Sequence, residues 1–423
     1  VVLGAVRKWY PASVPDYQPR HIDDTIVVLL KEVPALFLTG PRATGKTTTA
    51  LRHARTVIRL DRAAEAVAFR ADPDAAIREL AEPVLLDEWQ AVPEVIGAVK
   101  RAVDTDPRPG RFIVTGSVRG DLGGELWPGT GRLIRIPLYG MTVREQLGLA
   151  GHVPFFDRVT NEADLAPAAA SPDLRGYVEL LLRGGFPDPV LRLGDVARTH
   201  WLESYVEHLL TRDAEQIDSG RDPARLRRYL EACALNTAGI VRDSTLLESA
   251  GINRKTAQAY ERLLTNLLAV ESLPAWTSNR LKRLSLSPKR YVVDPSVAAG
   301  ILGLDVDLVM RDGDMLGRLL DTFVVSQLRA ERAITRIRPR LYHLRQREGR
   351  LEVDLLAELA GGKVVGLEIK ADASPDASSA KHLAALRDRY PDRFLAGVVL
   401  HTGPYSYSLG ERLLAAPIST LWA

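Results

Sequence analysis

The sequence predicts an α/β chain of several domains, and three observations carry that prediction. A strand, a glycine-rich loop and a helix follow one another at residues 35–50 (ALFLTGPRATGKTTTA), with strands and helices alternating around them from 20 to 140. Between 224 and 295 the pattern changes to helix, short helix, turn, longer helix and strand-rich tail. In the last hundred residues, the stretches 351–359 and 363–370 flank Gly361-Gly362. Alternation of the first kind builds a mainly parallel sheet. The second order is that of a winged helix-turn-helix, and the third reads as a β-hairpin.

The chain has 423 residues, enough for several domains and a sizeable core. Hydrophobic content of 46% and charged content of 26% are those of an ordinary globular protein. A formal charge of +3 is too small to argue for nucleic acid by itself, so any basic surface must be local. Cys233 is the only cysteine, which excludes a disulfide framework and a cysteine zinc site and fits a reducing cytosol. No apolar run approaches the length of a membrane span and no signal peptide is expected, so the expectation is a cytoplasmic chain with no membrane partner.

Taken in order, 22–33 (IDDTIVVLLKEV) reads as a helix, preceded by Tyr17 and by Arg20, which would sit near the nucleotide base or cap the surface, the surface being favoured. The apolar run 35–38 is a buried strand feeding Gly40-Pro41-Arg42-Ala43-Thr44-Gly45-Lys46-Thr47, a match to G-x-x-x-x-G-K-[ST] with a helical pattern from Thr48. Glycines let backbone N–H groups curl around phosphates, and the helix N-terminus adds partial positive charge. Residues Gly40 through Thr48 are therefore the expected ATP contacts, with Lys46 on the β- and γ-phosphates and the Thr47 hydroxyl on Mg²⁺.

Residues 56–61 (TVIRLD) read as a second strand, and 82–90 (EPVLLDEWQ) as a third that delivers acids to its C-terminal tip, where open parallel sheets bind ligands. Asp87 would hold the Mg²⁺ and its water shell, and Glu88 would polarise the attacking water. A further strand, 111–117 (RFIVTGS), brings Thr115 and Ser117 to the same edge, either to sense the γ-phosphate or to begin the next loop. GTGRLIRIPL places Arg132 before another strand, as an arginine for the nucleotide in cis or in a neighbouring subunit, or as a plain surface residue. From 141 to about 218 the pattern is helical, broken at Gly184-Gly185-Phe186-Pro187, and fits a helical lid.

In the winged-helix stretch, Ser244 is the expected cap of the short helix. Arg254, Lys255 and Thr256 open the expected recognition helix. Residues 276–290 hold Arg280, Lys282, Arg283, Lys289 and Arg290 without an acid, a basic hairpin suited to phosphates. The same features suit a protein interface or a solvated edge strand.

The hairpin 351–370 suggests a second chemical site. Gly361 is the midpoint between Asp354 and Glu368, so pairing about that turn brings their carboxylates together, and Lys370 shares a strand face with Glu368. Two carboxylates and a lysine can hold a divalent metal, activate water and stabilise a phosphorane-like transition state. Asp321, in the upstream helix LGRLLDTFVVSQLRAE, is the candidate third carboxylate, and the helix around Lys381 and His382 is placed beside the hairpin. The charged wet face of a half-buried hairpin would show the same pattern.

Together, LTGPRATGKTT, LLDEWQ, VTGS, GTGR, RGGFP and VVD-P resemble, through nearly the whole chain, the bacterial and archaeal AAA-like ATPases that carry a C-terminal domain of uncharacterised function. The C-terminal part resembles the restriction-endonuclease-like PD-(D/E)XK fold, on Asp354 in EVD and on Glu368 and Lys370 in EIK. The helical acid is often Glu in such nucleases; here it is Asp321, one methylene shorter. The resemblance implies an AAA-like core (1–140), a helical lid (141–220), a winged helix (221–298) and a nuclease-like domain (299–423). It implies an ATP hydrolase that uses Mg²⁺, with Mn²⁺ as an alternative ion at the nuclease-like centre. The partner expected is nucleic acid, DNA before RNA, cleaved by the C-terminal domain. The competing expectation is an ATP-driven switch that binds DNA or protein, with a silent C-terminal domain. Such ATPases often form rings with a neighbour's arginine completing the site, for which Arg132 and Arg119 are the candidates.

Overall fold

A computed structural model of the chain describes residues 17–117, 131–160, 165–168, 170–214, 222–241, 243–346 and 351–423. Arg119 lies outside them. The chain divides after Tyr139 into two compact units.

In the first unit, the strands β1 (Ala35–Thr39), β2 (Thr56–Arg59), β3 (Val84–Asp87), β4 (Phe112–Gly116) and β5 (Leu133–Pro137) form one sheet in the order β2-β3-β4-β1-β5. Every pairing in it is parallel. β1, β3 and β4 are buried along their whole length, which is why they read as continuous apolar runs rather than alternating ones. The helix Glu94–Thr105 covers the sheet with Val95, Ile96, Ala98, Val99 and Val103, one stripe at helical spacing. The helix after the glycine loop begins at Lys46, two residues before the sequence pattern becomes helical. One consequence of the strand order matters for chemistry. β4 sits between β1 and β3, so the loops leaving all three carboxyl ends lie side by side.

The second unit begins with helices, Val143–Gln146, Phe155–Thr160, Leu174–Arg183, Pro187–Arg192 and Asp195–His208. Three more follow, Pro223–Leu235, Asp243–Ala250 and Arg254–Asn266, then the antiparallel pair β6 (Val270–Leu273) and β7 (Lys289–Val292). Three helices and a two-stranded antiparallel pair are the order anticipated for 224–295. Two details differ. Ser244 falls inside a helix that starts at Asp243, and Arg280–Arg283 is a short helix in the connection between the strands. Asn279 caps that turn through the amides of Leu281 and Lys282, so local side-chain capping displaces the extended hairpin.

After the helices Pro295–Leu302, Val306–Arg311 and Gly313–Glu331 comes a six-stranded mixed sheet. Its strands are β8 (Arg340–Gln346), β9 (Leu351–Glu358), β10 (Val364–Ile369), β11 (Phe394–His401), β12 (Tyr407–Gly410) and β13 (Leu413–Pro417), in the order β12-β13-β11-β10-β9-β8. β10 and β11 are parallel and are joined through the helix Lys381–Arg389, the crossover that parallel pairing demands. Leu355, Val365, Leu367 and Val398 face a core shared with Leu319, Leu320, Phe323 and Val324 of the helix Gly313–Glu331. Val364 and Val399 face Leu383 and Leu386 on the other side. The sheet is thus covered on both faces; of its charged hairpin residues Glu358 and Glu368 are buried, while the side chains of Asp354 and Lys370 are 22% and 40% exposed. The larger of these cores runs on through the helices of 143–267, so the helical segments and the sheet share one apolar interior.

Two sequence motifs meet here. Asp294, buried, accepts from the Ser296 amide and caps the helix Pro295–Leu302, while its other oxygen accepts from the Gly185 amide at 3.0 Å. Asp294→Ala leaves that amide unpaired and removes the cap, which costs on the order of 1–3 kcal/mol. A urea midpoint clearly below that of the parent chain is the expected result, and an unchanged one would show that neither bond matters.

Candidate functional site: a phosphate loop and a lysine-filled acidic centre

The loop after β1 is shaped by backbone geometry. Gly45 holds φ +89°, a left-handed conformation that a glycine adopts at little cost. Lys46 is buried and its ammonium donates to Pro41 O at 2.7 Å, while Thr44 donates to the same carbonyl at 2.9 Å. Burial lowers the Lys46 pKa to about 8 despite the nearby carboxylates of Glu88 and Asp87. Arg20, for which the surface was favoured over a place near the nucleotide, is buried: its guanidinium donates to Thr44 O at 2.7 Å and Tyr139 O at 2.8 Å, bracing the loop. Buried carbonyls need donors, and a forked guanidinium supplies two at once.

At the tip of β3, Asp87 Oδ1 accepts from the Thr47 hydroxyl at 2.7 Å and from the Thr115 hydroxyl. Thr115, on the intervening strand β4, is therefore a holder of Asp87. Thr47 and Asp87 offer hard oxygen donors in direct contact, which fits Mg²⁺. Glu88 has φ +55°, a strained conformation for a residue with a side chain. Its carboxylate accepts from Gln90 Nε2, which also donates to Ser117 Oγ at 3.4 Å. Burial raises the Glu88 pKa, although Lys46 opposes the shift. The structure thus gathers Lys46, Thr47, Asp87, Glu88 and Ser117, and adds Gln90, which the sequence reading passed over. Arg132 is not among them. It precedes β5, which runs parallel to β1, so it lies at the amino edge of the sheet and pairs with Asp104. A five-residue strand separates it from the phosphate loop's edge by about 15 Å.

The second anticipated centre is brought together differently. β9 and β10 pair about Gly361, with Val364 opposite Glu358 and Leu367 opposite Leu355. On its other side β9 places Asp354 and Leu355 against the single residue His343 of β8, a bulge that re-aims Asp354. Asp354 Oδ2 then accepts from the Ile369 amide at 3.0 Å. Glu368 is buried and ion-paired to Lys370 at 3.1 Å. Burial, reinforced by Asp354, pushes the Glu368 carboxyl well above its ordinary range. Its Oε1 has no hydrogen-bond partner among the described residues.

The position between Asp354 and Asp321 belongs to Lys289. Its ammonium contacts Asp321 Oδ2 and stands 3.6 Å from Asp354 Oδ1, while the Tyr291 hydroxyl donates to Asp321 Oδ1 at 3.0 Å. Burial opposes the charge on Lys289, but Asp321 and its neighbours outweigh it and hold the pKa well above the usual value. Burial raises Asp321 to about 6, with Lys289 pulling the other way. As arranged, these residues do not fit a divalent ion. Both Asp321 oxygens are engaged, one Asp354 oxygen takes an amide, and an ammonium occupies the gap. Among the described residues no group of three His, Cys, Asp or Glu side chains is placed to hold a metal.

Lys289 was expected to touch nucleic acid, and it is one of three such expectations that the structure redirects. Arg290 is buried against Glu261 at 2.9 Å. Arg283 makes a two-pronged pair with Glu358 at 2.7 and 2.8 Å. The physical reason is shared: cations that lack acids nearby in sequence found them in distant elements. Arg254, Lys255, Arg280 and Lys282 are exposed.

Comparison with known proteins adds the following. Residues 32–147 match the model of an AAA domain, 174–308 a domain of unknown function (DUF8612), and 316–421 another (DUF4143). Uncharacterized proteins of Mycobacterium bovis and Mycobacterium tuberculosis are each 29% identical over 393 residues, 92% of this chain and 81% of theirs. A solved Walker-type ATPase of Pyrococcus abyssi is 17% identical with a TM-score of 0.43, covering 68% of this chain and 96% of that one. The G-x-x-x-x-G-K-T loop at the strand tips of a parallel sheet and the AAA match fall on the same residues, 32–147, which are therefore similar to a P-loop, AAA-like domain.

Proposed function

We propose that the chain hydrolyses ATP with Mg²⁺ and couples that cycle to a nucleic-acid partner. The observation that carries the first half is the Thr47–Asp87 contact beside buried Lys46 and strained Glu88. Lys46 would bind the β- and γ-phosphates, Thr47 and Asp87 would hold the ion, and Glu88, oriented by Gln90, would position and polarise water. Mg²⁺ would neutralise charge on the phosphates. Lys46→Ala should retain its fold and lose about 10²- to 10³-fold in turnover, the scale of removing one charge-stabilising donor. Unchanged turnover by a phosphate-release assay would overturn the ATPase reading.

For the partner, the exposed Arg254 and Lys255 open the helix Arg254–Asn266, with Arg280 and Lys282 on the connection between β6 and β7. These four cations support phosphate contacts, with DNA favoured over RNA. One observation favours a protein partner instead: Leu281 and Leu284, interleaved with the cations, are 80% and 86% exposed. DNA affinity that falls steeply with salt would support the first reading, and its absence would support the second. Lys289 in the acidic centre favours a C-terminal domain that does not cleave. DNA cleavage by the wild-type chain with Mg²⁺ or Mn²⁺, lost in Lys370→Ala, would overturn that silence.

A further inference from the structure

A cavity of about 560 Å³ opens beside the turn between β9 and β10, and its charged lining is almost entirely arginine. Arg280 and Arg283 come from the β6–β7 connection, Arg338 and Arg340 from the entry to β8, and Arg393 from just ahead of β11. The one carboxylate in the lining, Glu358, is already held by both prongs of Arg283 and by the Trp276 indole N–H at 3.2 Å. Five guanidinium groups therefore face one engaged carboxylate, an excess of four positive charges. Arg280, Arg338, Arg340 and Arg393 are exposed and make no ion pair among the described residues. Arg338 moreover holds φ +43°, a backbone conformation that non-glycine residues adopt under constraint. Gly361 and Gly362 leave that side of the cavity without side chains.

Like charges gathered around a half-enclosed space repel one another, and an anion relieves that repulsion. The absence of lysine from the lining is informative. A planar guanidinium fork matches the geometry of phosphate oxygens in a two-pronged way that an ammonium does not. No aromatic ring lines the cavity, so the charged guanidinium groups make phosphate the group the lining fits best.

We propose that this cavity binds a ligand bearing two or more neighbouring phosphate groups, gripped by Arg280, Arg338, Arg340 and Arg393, with Arg283 fixed in place by Glu358. The site is lined only by residues of the second unit, shares none with the P-loop and does not depend on the ATPase reading. To test it, the full chain carrying Lys46→Ala, which weakens the P-loop site, is titrated calorimetrically with tripolyphosphate in metal-free buffer. A labelled single-stranded oligonucleotide is titrated separately. Saturable, salt-sensitive binding is expected, at least tenfold weaker once Arg338→Gln and Arg393→Gln are added, with Arg340→Gln as an independent second variant. Loss confined to tripolyphosphate identifies a small polyphosphate, and loss confined to the oligonucleotide identifies the phosphodiester backbone. Affinity for both probes that is absent, or unmoved by all three substitutions, overturns the proposal. In the parent chain, Arg338→Gln/Arg393→Gln should hydrolyse ATP at the wild-type rate, which separates failure of this site from failure of the ATPase.

Discussion

Glu88→Gln should bind ATP about as tightly as the wild type and turn it over about 10²- to 10⁴-fold more slowly, the range that a positioned base contributes. The substitution is close to isosteric and its consequences can be separated. The side-chain oxygen that accepts from Gln90 Nε2 remains in the amide, so the link from residue 88 through Gln90 to Ser117 survives. The contacts assigned to the phosphates belong to Lys46 and to the backbone of the loop, which Glu88 does not touch. What is lost is the negative charge of residue 88, the feature proposed to polarise water. Equilibrium binding of a fluorescent ATP analogue and steady-state phosphate release measure the two halves independently. Equal loss of both would show that Glu88 shapes the loop rather than the chemistry, and wild-type turnover would assign the water to another residue. The conformation at residue 88 gives the experiment a further edge. A residue held at φ +55° directly after a buried strand is strained, and strain is retained where the surrounding structure over-determines it.

The grouping of Lys46, Thr47, Asp87 and Glu88 at the strand tips was legible in the sequence because its parts are local. Each motif is a strand running straight into the residues that do the work, and the parallel sheet aligns those strand ends without further information. Arg132 shows the limit of motif reading, since a residue that precedes a parallel strand stands at the opposite edge from one that follows it. The hairpin was legible for a related reason: a turn at Gly361 fixes the register for residues on either side. What period-two reasoning could not supply is the extra residue in β9, which re-aims Asp354. Nor could it supply Lys289, which reaches Asp321 across 32 positions of sequence. The one available signal was weak: Lys289 and Tyr291 share a strand face, and the run turns apolar from Tyr291 onward. The preference for a surface Arg20 failed in the same way, because the carbonyls it braces are distant from it in the chain.

Lys289→Met is expected to destabilise the second unit by about 3–5 kcal/mol, the cost of leaving a buried charge without its partner. The side chains of Lys289 and Asp321 are 7% and 9% exposed, so water cannot take over the role of the ammonium. Methionine keeps most of the apolar stem and removes the ammonium, its charge and the hydrogen bonds it donates to Asp321 and Asp354. The cost should fall substantially in Lys289→Met/Asp321→Asn, where Tyr291 still has an oxygen to donate to and no uncompensated carboxylate remains at residue 321. A double-mutant cycle on unfolding free energies isolates that coupling. Additive effects would mean that Lys289 matters through packing alone. The same variant tests what the lysine keeps out. With the ammonium gone, Asp321 and Asp354 face each other across the space it filled, so Mn²⁺ or Mg²⁺ should raise the unfolding midpoint of Lys289→Met. The wild type supplies the baseline, because any ion effect at the P-loop is common to both proteins. A selective rise in the variant would show a cation site that the Lys289 ammonium fills in the wild type. Equal responses in the two proteins would instead make Lys289, Asp321 and Tyr291 a purely structural triad.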